Sequence, residues 1–251
     1  MMLKIAYLGE RFHGFARQPG FRTVEGDLLK ALERLGYTVK IYPASRTDKG
    51  VSALCNVVQV PIQKENICRM LTAGLRDIWV YQYSFEEWNP RHCTKHYTYF
   101  VPDVYRSEAL EKCCALFSGV HDFSSFTKGK YDNTVKEIYV SYKVKGDVTL
   151  FYFSGQSFLW EMIRRCVTSM SEYLSGVRTE RELATILEGN VPEKVPPAPA
   201  ENLLLTELVY THELVTDQFS VEKMRKEFSS RYKLYSAKKA LFEEILNSGI
   251  V

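Results

Sequence analysis

Nothing in the chain approaches the roughly 18 consecutive apolar residues that a membrane span needs. The apolar start, Met1-Met2-Leu3-Lys4-Ile5-Ala6-Tyr7-Leu8, is short and charge returns at Glu10, so it reads as a buried strand rather than a signal peptide. The expected compartment is therefore the cytoplasm, with no membrane partner. The six cysteines (55, 68, 93, 113, 114 and 166) form no Cys-x-x-Cys pair, and the five histidines (13, 92, 96, 121 and 212) form no recognised metal pattern. His92 and His96 stand four apart, but Tyr97 to Val101 has the composition of a strand, where that spacing is not a helical ligand pair. No metal site is expected, and the scattered cysteines suit small buried groups in a reducing compartment. Neither a Walker-type loop nor a Gly-x-Gly-x-x-Gly fingerprint is present, so no nucleotide cofactor is expected. A large excess of one charge is missing too. The 33 Lys and Arg against 30 Asp and Glu leave a formal +3, so bulk charge does not announce a nucleic-acid partner.

What is present is ordinary material for a globular protein, 45% apolar and 25% charged. At 251 residues the chain can bury a substantial core, as one large domain or two closely packed ones. Its charge is unevenly spread: residues 1–50 hold nine Lys and Arg against five Asp and Glu. Arg11, Arg17 and Arg22 alternate there with Phe12, Phe15 and Phe21. That mixture suits a partner of phosphates and bases, and equally a solvated loop with packed rings.

The pattern of apolar residues predicts a strand over 2–8, then a helix over 23–35. Thr23 can cap that helix, and Val24, Leu28, Ala31, Leu32 and Leu35 keep its period. Strands are expected over 37–44 and 55–61, a helix over 64–75 and a strand over 78–85. The resulting order, β-α-β-β-α-β, repeats: a strand over 97–102, a helix over 107–117 with Ser107 as candidate cap, a hairpin of 135–144 and 148–153, a helix over 159–174, and a closing strand over 203–211. A short extra helix is expected over 179–188. The stiff connector Val195-Pro196-Pro197-Ala198-Pro199-Ala200 follows it. The predicted class is α+β, with two ferredoxin-like (RNP-like, split βαβ) halves sharing a continuous, mainly antiparallel sheet around a central catalytic cleft. The expected divisions are residues 1–95, residues 96–215, and a charged helical extension over 216–251. In that extension Ser220 would cap a first helix, while Leu241, Phe242, Ile245 and Leu246 would line a second that packs on the body.

One segment carries the chemistry. In Arg46-Thr47-Asp48-Lys49-Gly50 a carboxylate stands two residues after an arginine and two before a glycine, between two strand-like runs. In extended backbone the Arg and Asp share a side, so a guanidinium can keep the carboxylate ionised and aimed. Gly50 permits a positive φ or the close approach of a ligand. These are conditions for a carboxylate nucleophile. They are also those of a capped turn with a local ion pair, and spacing alone leaves both open.

Six segments, in order across roughly residues 3–210, resemble the tRNA pseudouridine synthase A (TruA) family. They are Tyr7-Leu8-Gly9-Glu10-Arg11-Phe12-His13-Gly14-Phe15-Ala16-Arg17-Gln18; Arg46-Thr47-Asp48-Lys49-Gly50-Val51; Asn89-Pro90-Arg91 with Lys95-His96-Tyr97-Thr98-Tyr99; His121-Asp122-Phe123-Ser124-Ser125-Phe126; Gly155-Gln156-Ser157-Phe158-Leu159-Trp160-Glu161-Met162-Ile163-Arg164; and Ala198-Pro199-Ala200-Glu201-Asn202-Leu203. Ser45, Lys49, Ser52 and Asn202 depart from residues common in the family, in the manner of its archaeal and eukaryotic relatives. The resemblance implies a cofactor-free isomerase that converts uridine to pseudouridine in the anticodon stem-loop of tRNA, at positions 38 to 40. It implies tRNA as partner and a homodimer. Asp48 would be the nucleophile, attacking C6 of the ring or C1′ of the ribose, with Arg46 as its ion-pair partner. Tyr97 would lie against the uracil and could take the C5 proton; Arg164 would be a second ion-pair partner. Leu203 and Leu205 would wall the pocket, with Phe158 beside it. Arg11, Phe12, Arg17, Gln18 and Arg91 would bind substrate, and Lys128 and Lys130 are further candidates for phosphate contact. The rival readings are a non-catalytic RNA-binding protein on the same fold, a pseudouridine synthase with broader RNA targets, and a metal-dependent phosphotransferase. The last lacks a second carboxylate at suitable spacing.

Overall fold

Alternating and helical apolar patterns become one sheet and the helices packed on it. The computed structural model describes residues 1–189 and 194–248. Along them run β1 (Met2–Tyr7), α1 (Val24–Arg34), β2 (Tyr42–Pro43), β3 (Ser52–Gln59), α2 (Ile67–Gly74), β4 (Ile78–Ser84), β5 (Thr94–Val101), α3 (Ser107–Phe117), β6 (Gly119–Asp122), β7 (Val135–Lys145), β8 (Val148–Gly155), α4 (Met162–Leu174), α5 (Glu180–Leu187), β9 (Leu203–Val209), β10 (Val215–Thr216) and α6 (Gln218–Asn247). The molecule is α+β, as the pattern predicts. The sheet order is β10-β4-β1-β3-β9-β5-β8-β7-β6, with β2 pairing β3 off that path. The β3–β9 pair, Ser52 with Leu204 and Ala53 with Leu205, is parallel; the other described pairings are antiparallel. That seam joins the strands of the first half of the chain to those of the second.

Several expected elements change. The strand expected over 37–44 shrinks to Tyr42–Pro43, which pair with Gln59 and Val58; in that antiparallel register residues 37–41 run on past the end of β3 at Gln59, where they meet no strand partner. The helix expected from 159 begins at Met162, since Glu161 has a left-handed backbone with φ of 63°. Thr23 does cap α1, accepting from the Gly26 amide. Ser107 is instead the first helical residue of α3, whose cap position is Arg106. The tail is one helix rather than two, for no Gly or Pro interrupts residues 218–247. Its cap is Asp217, which accepts from the Ser220 amide at 2.8 Å; Ser220 does not cap it. The first turns of α6 pack on the body: Phe228 lies 5.0 Å from Trp79, and Lys223 donates to the Thr72 carbonyl at 2.8 Å. Its last turns leave Leu241, Phe242, Ile245 and Leu246 exposed. The short strands β6 and β10 have no counterpart in the sequence reading.

Candidate active site

The Asp48 loop is built before its chemistry. Tyr7, at the end of β1, is buried and shares a hydrogen bond with Thr47 Oγ1 at 2.8 Å. Asn56, on β3, donates to the Ser45 carbonyl at 2.8 Å and accepts from the Ser45 amide at 3.2 Å. The Phe15 amide donates to the Thr47 carbonyl at 3.0 Å, and the Gly50 amide to the Phe12 carbonyl at 3.3 Å. The Val51 amide closes the turn on the Asp48 carbonyl at 3.2 Å. Gly50 takes the positive φ, 86°, that its place in the motif suggests. Gly9 packs against the far side of the turn so closely that a Cβ there would stand 2.2 Å from the Val51 carbonyl oxygen. The loop is held by backbone and buried polar groups on both sides, which fixes the carboxylate before any substrate arrives.

The partner of Asp48 is Arg164, from the first turn of α4, at 3.6 Å. Arg164 is itself aimed. Its Nε donates to the Ala198 carbonyl at 2.7 Å, and the Ala198 amide donates back to the Arg164 carbonyl at 3.1 Å. The proline-rich connector thus holds the guanidinium, leaving Nη1 for the carboxylate. Glu161 Oε1 lies 3.9 Å from the same Nη1. Glu161 also accepts from Arg165 at 2.5 Å, and Arg165 donates to the Val195 carbonyl. Burial raises the Asp48 pKa above that of an ordinary aspartate; the Arg164 charge pulls it down, Glu161 pushes it up again, and Lys128 lowers it. The arginine two residues away plays no such part. Arg46 is exposed, and among the described residues no ion pair joins it to Asp48. The expectation of an Arg46–Asp48 pair is thereby corrected: the turn carries Arg46 outward while α4 supplies the cation.

The second expected aromatic residue does converge here. Tyr97 is buried on β5, where Phe158 meets its ring edge-on at 5.4 Å between centroids. Burial pushes its phenol up to about 12, the nearby Ser45 hydroxyl offsets part of this, and the charge of Asp48 adds to it. In register, Leu205 stands between Ala53 of β3 and Tyr97 of β5, and is fully buried; Leu203 pairs with Tyr99 and is nearly so. Asp48, Arg164, Tyr97, Phe158 and Leu205 therefore meet at the β3–β9–β5 seam. Asp48 keeps 21% of its side chain exposed, so a ligand can reach the carboxylate.

The remaining candidates are more dispersed. Phe12 is 2% exposed with the Arg22 guanidinium 4.4 Å above its ring, so it is core and offers no free face, contrary to its expected substrate contact. Arg11 is exposed beside Glu10. Arg17 and Gln18 are exposed on the loop before α1, where the Gln18 side-chain Nε2 donates to the His13 carbonyl at 2.9 Å. Arg91 lines a separate cavity of about 480 Å³ with His92, Gln156, Tyr210 and His212; Asp48 does not. Glu161 and Ser45 are site residues that sequence reasoning missed as such, though both lie inside or beside the motif segments. Among the described residues no group of three or more His, Cys, Asp or Glu could hold a metal ion, and no helix is long and apolar enough to cross a membrane.

Comparison with known proteins adds to this geometry. A family profile described as tRNA pseudouridine synthase matches residues 113–211. A protein of Pyrococcus furiosus named tRNA pseudouridine synthase A is 37% identical to this chain, covering 97% of it and 96% of the relative. One of the same name from Pyrococcus horikoshii is 41% identical over 92% of this chain and 93% of its own. Another, from Methanocaldococcus jannaschii, is 33% identical over 98% of each.

Proposed function

The chain belongs to the tRNA pseudouridine synthase A family, isomerases that convert uridine to pseudouridine, and from that premise we propose that Asp48 is the nucleophile of this reaction in the anticodon stem-loop. The observation that carries the reading is the Asp48 carboxylate, held 3.6 Å from Arg164 in a preorganised turn beside the ring of Tyr97. A uridine turned out of its stack would enter over Tyr97, with Leu205 and Phe158 excluding water. Asp48 attacks C6 of the ring or C1′ of the ribose, and the N1–C1′ bond breaks. The uracil turns, C5 bonds to C1′ as the aspartyl bond is released, and the proton lost from C5 is matched by one taken up at N1. A phenol held near 12 is protonated at neutral pH, which favours Tyr97 as the ring that lies on the uracil over Tyr97 as the base. Arg164 keeps Asp48 ionised against the pull of burial. Arg46, exposed beside the nucleophile, is placed to fill the space the extruded nucleotide leaves. Arg11, Arg17, Gln18 and Arg91 are exposed and serve as contacts to the phosphate chain.

The same reading includes two ferredoxin-like halves. The order β4-β1-β3-β2 in the first and β9-β5-β8-β7 in the second supports it. Their proposed bounds are residues 1–95 and 96–215, with residues 216–251 as an extension that returns to the first half through β10 on β4. It also includes a cytoplasmic homodimer, for which the exposed apolar turns at the end of α6 are a candidate contact. Pseudouridine mapping on whole tRNA incubated with purified protein tests the function. Modification at positions 38 to 40 by the native protein, absent with Asp48→Ala at equal tRNA occupancy, is the expected result. Modification scattered over other RNA sites favours a broader target range, and RNA binding without any modification favours a non-catalytic binding protein.

A further inference from the structure

Trp160 lies in the turn before α4, one residue from Glu161 and four from Arg164, and its side chain has no role in the chemistry above. It is 48% exposed, unusual for an indole on a soluble surface. It is nonetheless held. Its amide donates to the Tyr131 hydroxyl at 3.2 Å, and its carbonyl accepts from Thr127 Oγ1 at 3.1 Å and from the Lys128 amide at 3.3 Å. The Lys128 ammonium lies 4.9 Å from the ring centroid. Directly after it, Glu161 adopts a left-handed backbone that a non-glycine residue takes at a cost, and its ion pair with Arg165 keeps it there. The strained turn sets where the indole points. Glu161, the residue after the indole, comes within 3.9 Å of Arg164 Nη1, which pairs with Asp48 at 3.6 Å, and the Lys128 charge acts on Asp48, so the indole and its lysine flank the candidate active site.

An exposed, backbone-clamped aromatic ring beside an ammonium that makes no ion pair among the described residues matches one kind of ligand, a base with its phosphate. We propose that Trp160 and Lys128 form a subsite for a nucleotide adjacent to the reacting uridine, the base stacking on the indole and the phosphate pairing with Lys128. The inference rests on the reading that the Asp48 pocket receives a uridine from RNA. It adds a role that neither the fold nor the chemistry at Asp48 requires. With the target nucleotide extruded, its neighbours lose a stacking partner, and the indole supplies a replacement. The subsite would select RNA whose backbone presents a neighbouring base at this point, and Trp160 would act through binding rather than on the reacting atoms.

The test measures binding without turnover, in an Asp48→Asn background, to a short anticodon stem-loop RNA. The RNA is used intact and with an abasic residue on the 5′ or the 3′ side of the target uridine. Trp160→Ala should weaken binding of the intact RNA by about tenfold, a typical loss for one base–aromatic stack. Trp160→Phe, which keeps a stacking face, should recover most of that loss. The penalty of Trp160→Ala should fall below about twofold when one of the two neighbours is abasic. Lys128→Ala should reduce the slope of log affinity against log salt by about one. Equal weakening of intact and both abasic RNAs by Trp160→Ala, or no weakening of any of them, would overturn the proposal. Turnover by the Asp48→Asn protein is a separate readout: it would overturn the nucleophile assignment and leave this binding comparison intact.

Discussion

Asp48 is a carboxylate with opposed influences, and their signs make predictions. Burial raises its pKa and Arg164 lowers it. On the proposed mechanism the acid limb of kcat/KM should therefore fall above the ordinary aspartate value, because Asp48 acting as a nucleophile must be ionised. In Arg164→Gln that limb should move to still higher pH, and kcat should drop roughly 10- to 100-fold, the scale of one lost charge-assisted contact. A pH–rate profile of both proteins checks this, and an unmoved limb would count against the pair. The same shift has a stability consequence. A carboxyl whose folded pKa lies above its unfolded value contributes stability at low pH, and that contribution is lost as pH rises through the folded pKa. Asp48→Asn should consequently melt higher than the native protein at neutral pH, with the difference vanishing at pH 3. Melting curves at the two pH values decide the sign. The sequence pointed to this residue, since Arg46-Thr47-Asp48-Lys49-Gly50 is short and its glycine is informative. It did not reveal the partner, because proximity along the chain favoured Arg46 while the fold brings Arg164 from α4.

At the scale of elements, the turn between β2 and β3 and the start of α4 are the two parts that meet. The turn is held by contact with Gly9, so Gly9→Ala should displace it. The added methyl meets backbone rather than a movable side chain. A loss of about 1–3 kcal/mol in unfolding free energy, with activity falling further than stability explains, is expected from denaturant titration alongside kinetics. The tail offers a contrast between its two ends. Phe228, Lys223 and Arg231 tie the first turns of α6 to Trp79, Thr72 and Asp77. Truncation after residue 232 should cost no more than about 0.5 kcal/mol. Truncation before residue 218, which uncovers Trp79, should cost at least about 3 kcal/mol. Most helices and long strands were legible in the sequence because each buries one face and shows its period. β10, with only two residues, gives no period to read. β2 contracted for a reason outside its own sequence: its antiparallel partner β3 ends at Gln59, opposite Tyr42, so residues 37–41 have no strand to pair with. The tail looked like two helices because its two signals, a candidate cap at Ser220 and the apolar residues 241, 242, 245 and 246, stand near its opposite ends, although no Gly or Pro lies between them.

Across the whole molecule, the parallel β3–β9 pairing is what brings the Asp48 loop into contact with residues of the second half. No local pattern announces that pairing, since its two strands lie far apart in the chain; the order of the motif segments was the legible sign that both halves serve one site. The modest net charge of +3 also has a whole-molecule consequence. RNA affinity must come from placed cations rather than bulk charge, and it should still fall steeply with salt as phosphate contacts release counterions. Affinity that stays nearly constant from low to high salt would contradict the cationic surface. The central claim is tested most directly by the release of tritium from tRNA labelled at uracil C5. The Asp48→Ala protein, bound to that tRNA as tightly as the native protein, should release none above background while the native protein releases label from its target uridines. Release by the variant at the native rate would contradict the account.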